Sequence, residues 1–417
     1  MEYTGWLFDV YAAPQNGVVL WLLGEDGARY CLHQPFPITF YVGGPAASLR
    51  ALWHFLKAQP VQMKLSREER RDLFLPHPLS VLAIQVERAA DQERLFRQAV
   101  ERFPDLNYYD ADVPLALRYA AAHAVFPLAR CRMAAGPDGQ VEAVEALDTR
   151  WDLEPLSPPL RTLTLEPDSD PAHASPKHLL IHFERHDYRL SLEPRRPLLV
   201  GLRAILQRHD PDLLLTSWGD TWLLPHLLEA ARQARLPLPF NRDPGREPMT
   251  RPEHTYFSYG QVIYMGQQVH LFGRWHIDRY NAILFMDYGL EGALEMARVT
   301  ALPAQTAARV SPGTGISSMQ MLTALCQGVL IPWHKQQAER PKSALDLLRA
   351  DQGGLVYHPT VGLHHDVAEI DFISMYPSIM VHFNISPETV GSSQAISQAA
   401  PELGPPGDPD QPPGLVP

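Results

Sequence analysis

Cysteine is scarce: Cys31, Cys131 and Cys326 are the only three in 417 residues, far apart and with no C-x-x-C spacing. That pattern excludes a disulfide framework and a cysteine-built zinc site, and it points to a reducing compartment. No apolar run reaches membrane-spanning length. The opening Met1-Glu-Tyr-Thr-Gly-Trp6 lacks the basic stretch and apolar run of a secretory signal. A cytoplasmic protein without a membrane partner is therefore expected. Positive charge is also short, with a formal net charge of −11. Nucleic-acid-binding domains usually carry a basic face, so this balance argues against a chain that grips DNA strongly by itself. A local basic groove stays open, because net charge does not fix how charge is distributed.

The rest of the composition is ordinary for a globular chain, with 45% hydrophobic and 20% charged residues. The length accommodates two or three domains with proper cores. Residues 5–8, 17–23, 28–33 and 38–42 predict short strands between Gly- and Asp-rich turns. Residues 45–59 and 92–103 have helical spacing. The mixed-sign run Ser66-Arg-Glu-Glu-Arg-Arg71 fits a solvated helix face better than a phosphate-contacting patch. A Pro-rich stretch containing Pro155, Pro158 and Pro159 marks a boundary. Beyond it, residues 163–165, 179–183, 188–192 and 213–217 predict strands, and 196–209 and 222–234 predict helices. Ser311-Pro-Gly-Thr-Gly-Ile-Ser-Ser-Met319 lacks the lysine of a P-loop and predicts a turn before a helix over 317–326.

The most informative stretch is Asp371-Phe-Ile-Ser-Met-Tyr-Pro-Ser-Ile-Met380. Residues 367–372 alternate as a strand does, and Ser374 and Pro377 then supply a cap-type residue and a helix-compatible proline. A strand-end Asp can hold a metal ion while the N–H groups of the adjoining turn face a polyphosphate. Tyr376 stands beside them as a rigid ring able to touch a sugar. His364, His365 and Asp366 are read as strand and turn residues. Adjacent strand residues point to opposite faces and do not converge on one ion.

This decapeptide closely resembles motif A of family B DNA-directed DNA polymerases, D-x-x-S-L-Y-P-S-I, with Met375 in place of the leucine. Gly353-Gly-Leu-Val356 is similar to the family's Y-x-G-G-x-V segment, with Asp351 replacing its tyrosine. Asn384-Ile-Ser-Pro-Glu-Thr389 matches the family's residues just downstream of the motif A helix, and Ile331-Pro-Trp-His-Lys335 resembles the strand and loop that enter the palm. The resemblance implies an α/β and α+β multidomain protein. Its parts would be an N-terminal domain over 1–152, an RNase H-like exonuclease-type domain over 153–308, the start of the palm over 309–390, and a Pro/Gly-rich tail over 391–417 leading towards the fingers. It further implies Mg²⁺ as cofactor, with a DNA primer-template and a dNTP as partners. Asp371 would be the catalytic, metal-bridging carboxylate, and the Phe372 carbonyl would be a second metal ligand. The N–H groups from Ser374 through Met375 to Tyr376 would hold phosphates, and Tyr376 would act as a steric gate against a ribose 2′-hydroxyl.

The exonuclease motifs depart from the family's pattern. The D-x-E position carries Glu166-Pro-Asp168, which swaps the lengths of the two carboxylates. Leu223 stands where the catalytic Asp of N-x-x-x-F-D would fall, Trp218 replaces its Asn, and Gly292 falls at the last Asp. Leucine cannot bind a hard cation, and Glu reaches about a methylene further than Asp, so a metal pair should not assemble. Asp220 lies three residues from Leu223 and is expected to point elsewhere. The motifs K-x-x-x-N-S-x-Y-G and D-T-D are absent from the 417 residues. The expectation is the N-terminal part of a polymerase that needs a second polypeptide carrying the remaining palm and fingers, inactive when isolated, with a Pro-rich tail that is locally disordered. The alternatives are a non-catalytic scaffold that binds DNA or a polymerase partner, and a 3′–5′ exonuclease with an altered metal site.

Overall fold

A computed structural model of the chain describes residues 1–73, 75, 77–258, 261–333, 343–350 and 357–386. Three five-stranded sheets organise these residues into a mixed α/β multidomain fold. The first sheet runs Arg29–Gln34, Val18–Gly24, Glu2–Ala12, Arg130–Ala135 and Val141–Ala146, antiparallel throughout. Val18–Gly24 is buried at every residue, which is why its sequence is continuously apolar rather than alternating. Val18, Leu20 and Leu22 face one core, which includes Tyr119 and Leu322, whereas Val19, Trp21 and Leu23 face another, which includes Trp275 and Ile277. A strand that alternates between two cores has no place for a polar face.

The second sheet runs Val329–Leu330, Met63–Asp72, Leu79–Val86, Ile38–Gly43 and Asn107–Tyr109. Its core takes in side chains of the helices Ala46–Lys57 and Ala89–Arg102. Here the structure corrects one expectation. The charged run 66–71 is not a helix face but lies within the strand Met63–Asp72, paired antiparallel with Leu79–Val86. Residues two apart share a strand face, which brings the Glu68 and Arg70 side chains to 2.7 Å.

The third sheet places His186–Ser191, His178–Phe183, Thr162–Pro167, Leu213–Thr216 and Trp275–Asp278 side by side. The last three are mutually parallel, so their C-terminal ends open on one edge. Leu198, Leu202 and Leu206 of the helix Arg195–His209, with Leu224 and Leu227 of the helix Leu224–Ala234, close the core with Leu163, Leu165 and Leu179. This sheet is welded to the first. Phe8 stacks on Trp275 with centroids 3.9 Å apart, Asp9 accepts the Gly273 N–H at 3.0 Å, and Arg29 donates to Asp212 at 2.6 Å. Gly273 has φ +67°, and a Cβ there would stand 2.4 Å from the Trp21 ring, so both conformation and space require glycine.

Further expectations change. The helix expected at 222 is preceded by a π-helical turn, Gly219–Leu223, closed by the Leu223 N–H on the Trp218 carbonyl at 2.7 Å. The stretch 311–319 is not a turn, because the helix starts at Pro312 and runs to Cys326, with Ser311 as N-cap. Proline suits the first helical position, where its missing N–H would have had no intrahelical partner. Residues 367–372 form no strand, since no neighbouring segment pairs with them among the described residues. The strand expected at 331–335 is the short pair Val329–Leu330, and His334 and Lys335 lie outside the described residues. So do Asp351, the segment 353–356, residues 387–389 and the tail 391–417. Among the described residues, no helix is long and apolar enough to cross a membrane.

Candidate functional site

Two places carry the residues singled out by the sequence. The first is the crevice at the C-terminal ends of the parallel strands, where open α/β sheets commonly bind ligands. The register aligns Leu165 with Thr216 and Thr216 with Asp278. Glu166, Ser217 and Arg279 therefore come one after another across the edge. Arg279 Nη2 pairs with Glu166 Oε2 and donates to Ser217 Oγ at 2.9 Å, while Ser217 Oγ also donates to Glu166 at 3.3 Å. A guanidinium thus sits on the carboxylate that the sequence places in the metal motif. Asp168 turns away to the neighbouring hairpin, where it meets His178 Nδ1 and the Lys177 N–H at 2.8 and 2.9 Å. Its carboxyl is held down at about 2, chiefly by the His178 hydrogen bond.

Leu223 is fully buried and belongs to the apolar core under the sheet. Asp220 does not point away to solvent but inward. Arg309 Nε and Nη2 donate to its two oxygens at 3.1 and 3.0 Å, the Val269 N–H at 2.7 Å and Asn281 Nδ2 at 3.1 Å. Burial works to raise this carboxyl, but Arg309, His276 and these donors outweigh it and hold the group below its usual range. Asp278, also buried, accepts the Asp220 and Tyr280 N–H groups at 2.9 and 3.1 Å. Burial first, then the Asp220 charge, raises it to about 6. Burial likewise pushes the imidazole of His276 down to about 4. Gly292, within the helix Ile283–Thr300, offers no ligand.

The crevice therefore brings Glu166 to Arg279 and Asp220 to Arg309, and it separates Asp168 and Leu223 from both. Arg279, Arg309, Ser217 and Asp278 are neighbours of these positions that the sequence does not single out. Arg279 carries a partial local signal, since it directly follows the strand Trp275–Asp278 at the sheet edge where the crevice opens. Arg309 carries none, because it reaches Asp220 across 89 residues of chain. Trp218 and Tyr280 flank the crevice with ring centroids 4.7 Å apart.

The second place is the motif A stretch. The helix Met375–His382 comes after Ser374, which adopts φ +47° as N-cap without a side-chain capping bond. Its carbonyl accepts the Ser378 N–H at 2.8 Å. Asp371 is exposed and accepts the N–H of Phe372 at 2.8 Å. Ile370 is 94% exposed, and Phe372, Ile373 and Tyr376 are exposed as well. Among the described residues, no three His, Cys, Asp or Glu side chains converge as a metal-binding group.

Comparison with known proteins places these observations. Residues 311–404 match the sequence model of DNA polymerase family B. The chain is 23% identical to DNA polymerase 2 of Aeropyrum pernix over 89% of this chain and 54% of that protein. It is 22% identical to the DNA polymerase of Archaeoglobus fulgidus over 96% of this chain and 56% of that protein. The chain thus spans about half the length of these relatives. Its fold matches the family B DNA polymerase of Pyrobaculum calidifontis with a TM-score of 0.65 at 21% identity, over 93% of this chain and 57% of that one. Residues 311–404 are thus similar to family B DNA polymerases, on a chain that resembles archaeal members of that family over most of its length.

Proposed function

We propose that this chain contributes the motif A part of the palm to a family B DNA polymerase that extends a primer with dNTPs on a DNA template. The observation that carries this reading is the retention of Asp371-Phe-Ile-Ser-Met-Tyr-Pro-Ser-Ile379 beside the loss of carboxylates at the exonuclease positions. Asp371 is the catalytic carboxylate, and with the Phe372 carbonyl it offers part of a Mg²⁺ coordination shell. Mg²⁺ commonly takes one or two carboxylates together with substrate phosphates and water. Bound there, it would supply Lewis-acid stabilisation of the developing phosphoryl charge. The N–H groups of Ser374, Met375 and Tyr376 lie at a helix start, where phosphate oxygens are favoured. The Tyr376 ring closes the space that a 2′-hydroxyl would need.

The same reading makes the chain inactive by itself, because one carboxylate does not hold two divalent ions. The remaining palm carboxylate and the fingers, whether further along the same polypeptide or on a second one, would complete the site. The exposed apolar residues Val361, Leu363 and Ile370 support a covering partner. The crevice supports an inert exonuclease-type domain, since Arg279 already neutralises Glu166 and Leu223 is packed into the core. Co-purification from the native source, then primer extension with and without the accompanying polypeptide, tests the proposal. Extension by the homogeneous chain alone would refute the need for a partner. A co-purifying complex that extends no primer would favour the non-catalytic scaffold.

A further inference from the structure

A groove of about 390 Å³ opens on the helical side of the second sheet, between the helix Ala46–Lys57 and the strands Met63–Asp72 and Leu79–Val86. Leu49, Arg50, Trp53, Arg67 and Ser80 are among its walls, and no carboxylate among the described residues lines it. Both walls follow from local spacing. Arg50, Trp53 and Lys57 fall at i, i+3 and i+7 and so share one stripe of the helix. Arg67 is paired opposite Leu82, a residue of the core that the helices cover. Directly opposed residues share a sheet face, so Arg67 rises on that same side, where its Nε donates to Ser80 Oγ at 2.6 Å. Glu69 lies two residues further along this strand face and does not line the groove.

Two independent features point to a ligand. The first is charge. In a chain of net charge −11, exposed arginines nearby are paired with acids: Arg94 with Asp91, Arg97 with Glu93, Arg132 with Glu145. Arg50, Lys57 and Arg67 are exposed as well, yet none meets a carboxylate among the described residues. The second is the indole. Trp53 packs one part of its ring system against the core and keeps the rest accessible in the groove, and Lys57 Nζ stands 5.6 Å from the ring centroid. Lys57 is a flexible side chain, so a planar base can take its place on the ring and leave the ammonium to a phosphate. An aromatic ring among unpaired cations is the donor set of a single-strand platform, where the ring stacks a base and the cations follow the backbone. A duplex keeps its bases stacked inside and offers no face to Trp53. An acidic polypeptide would use the cations and leave the indole without a role.

We propose that this groove binds single-stranded nucleic acid, with one base stacked on Trp53 and the flanking phosphates held by Arg50, Lys57 and Arg67. The site involves neither the strand-end crevice nor the motif A stretch, and it does not rest on the role of Asp371. The test uses the full chain, titrated by fluorescence anisotropy with labelled oligodeoxythymidylate of about eight nucleotides across a salt series. Trp53→Leu keeps an apolar side chain against the core and removes the stacking face. It should weaken binding on the order of tenfold at every salt concentration, and Trp53→Phe should recover part of the loss. Arg50→Gln with Arg67→Gln changes only exposed side chains. It should reduce the slope of log affinity against log salt by about 0.7 for each cation removed. A matched duplex should respond to neither Trp53 variant. Absence of saturable binding by the unaltered chain overturns the proposal, as does binding undiminished in both Trp53→Leu and the double arginine variant. Displacement of the oligonucleotide by polyglutamate with an affinity indifferent to Trp53→Leu would assign the groove to an acidic polypeptide instead, and would equally overturn it.

Discussion

The strand-end crevice and the motif A stretch are opposites in how they are held. The carboxylates Glu166 and Asp220 of the crevice and Asp168 of the hairpin beside it are paired, with Arg279, Arg309 and His178 respectively. In the motif A stretch, Asp371 meets, among the described residues, only the N–H of the next residue, and the surrounding apolar side chains are exposed. A site whose carboxylates are already paired with guanidinium groups has little left to offer a hard cation. A site whose carboxylate is open still has its chemistry available but lacks the neighbours that would position it. Retained motif residues and completed geometry are therefore separate properties, and here they occur in different places.

The sharpest way to break this comparison is at the open site. In the completed enzyme, Asp371→Ala should reduce nucleotide incorporation by at least about 10²–10³-fold, the scale for loss of one positioned electrostatic group. Tyr376→Ala should instead raise the ratio of ribonucleotide to deoxyribonucleotide incorporation by about tenfold or more, read from competitive single-turnover assays. Unchanged sugar discrimination would show that the ring does not fill the 2′ position.

At the committed site the largest effect is on stability. Arg309→Ala leaves the fully buried Asp220 uncompensated and should cost about 3–5 kcal/mol in denaturant unfolding. The double variant Arg309→Met with Asp220→Leu should recover most of that loss, because the desolvation cost disappears with both charges. A double variant as unstable as the single one would show that the network acts through something other than the ion pair.

Proton linkage sharpens the comparison further. Burial raises Asp9 to about 7 and Asp278 to about 6 from an ordinary value of 3.8. The folded state therefore holds protons that the unfolded chain releases. The stability these groups contribute is full below about pH 4 and is lost as pH rises through 6 to 7. Asp212 and Asp220 act oppositely, since their depressed values contribute stability above the ordinary carboxylate range. Asp9→Asn keeps an acceptor for the Gly273 N–H and removes the charge. It should flatten the decline between pH 4 and 8 and gain on the order of 1–3 kcal/mol over the unaltered chain at pH 8. Parallel pH–stability curves for the two proteins would rule out Asp9 as a source of the decline.

The smallest expected effect is at the crevice rim. Glu166 and Arg279 are 40% and 33% exposed, so Arg279→Ala should change stability by only about 0–1 kcal/mol. It frees Glu166 but returns neither the carboxylate missing at Leu223 nor the one missing at Gly292. Purified chain and Arg279→Ala should both leave labelled single-stranded DNA intact with Mg²⁺ or Mn²⁺. Metal-dependent degradation abolished by Glu166→Ala or Asp168→Ala would reverse the reading of this domain.

Local patterns are legible from the chain alone. The strands Val18–Gly24 and His178–Phe183 and the helix Arg195–His209 follow from short-range apolar spacing, and the motif A decapeptide is contiguous, so its type needs no tertiary partner to be recognised. The loss of a ligand at Leu223 is equally visible, because leucine has no donor atom in any fold. Expectation and structure part where one local pattern serves two structures. The alternating charges of 66–71 suit a helix surface and a half-exposed strand equally well, and only pairing with Leu79–Val86 selects the strand. Residues 367–372 have strand character, yet a strand exists only where another backbone satisfies its hydrogen bonds.

Composition and motif by themselves determined the class of chemistry, because residue type sets which atoms can bind metal, phosphate or sugar. Tertiary structure decided which of those atoms remain free. Arg279 reaches Glu166 across 113 residues and Arg309 reaches Asp220 across 89, and both meetings depend on strand register and helix placement. Electrostatic pairing acts over ångströms in space and is indifferent to separation along the chain. No reading of Glu166 or Asp220 in sequence could therefore reveal that each already holds a cation made of protein.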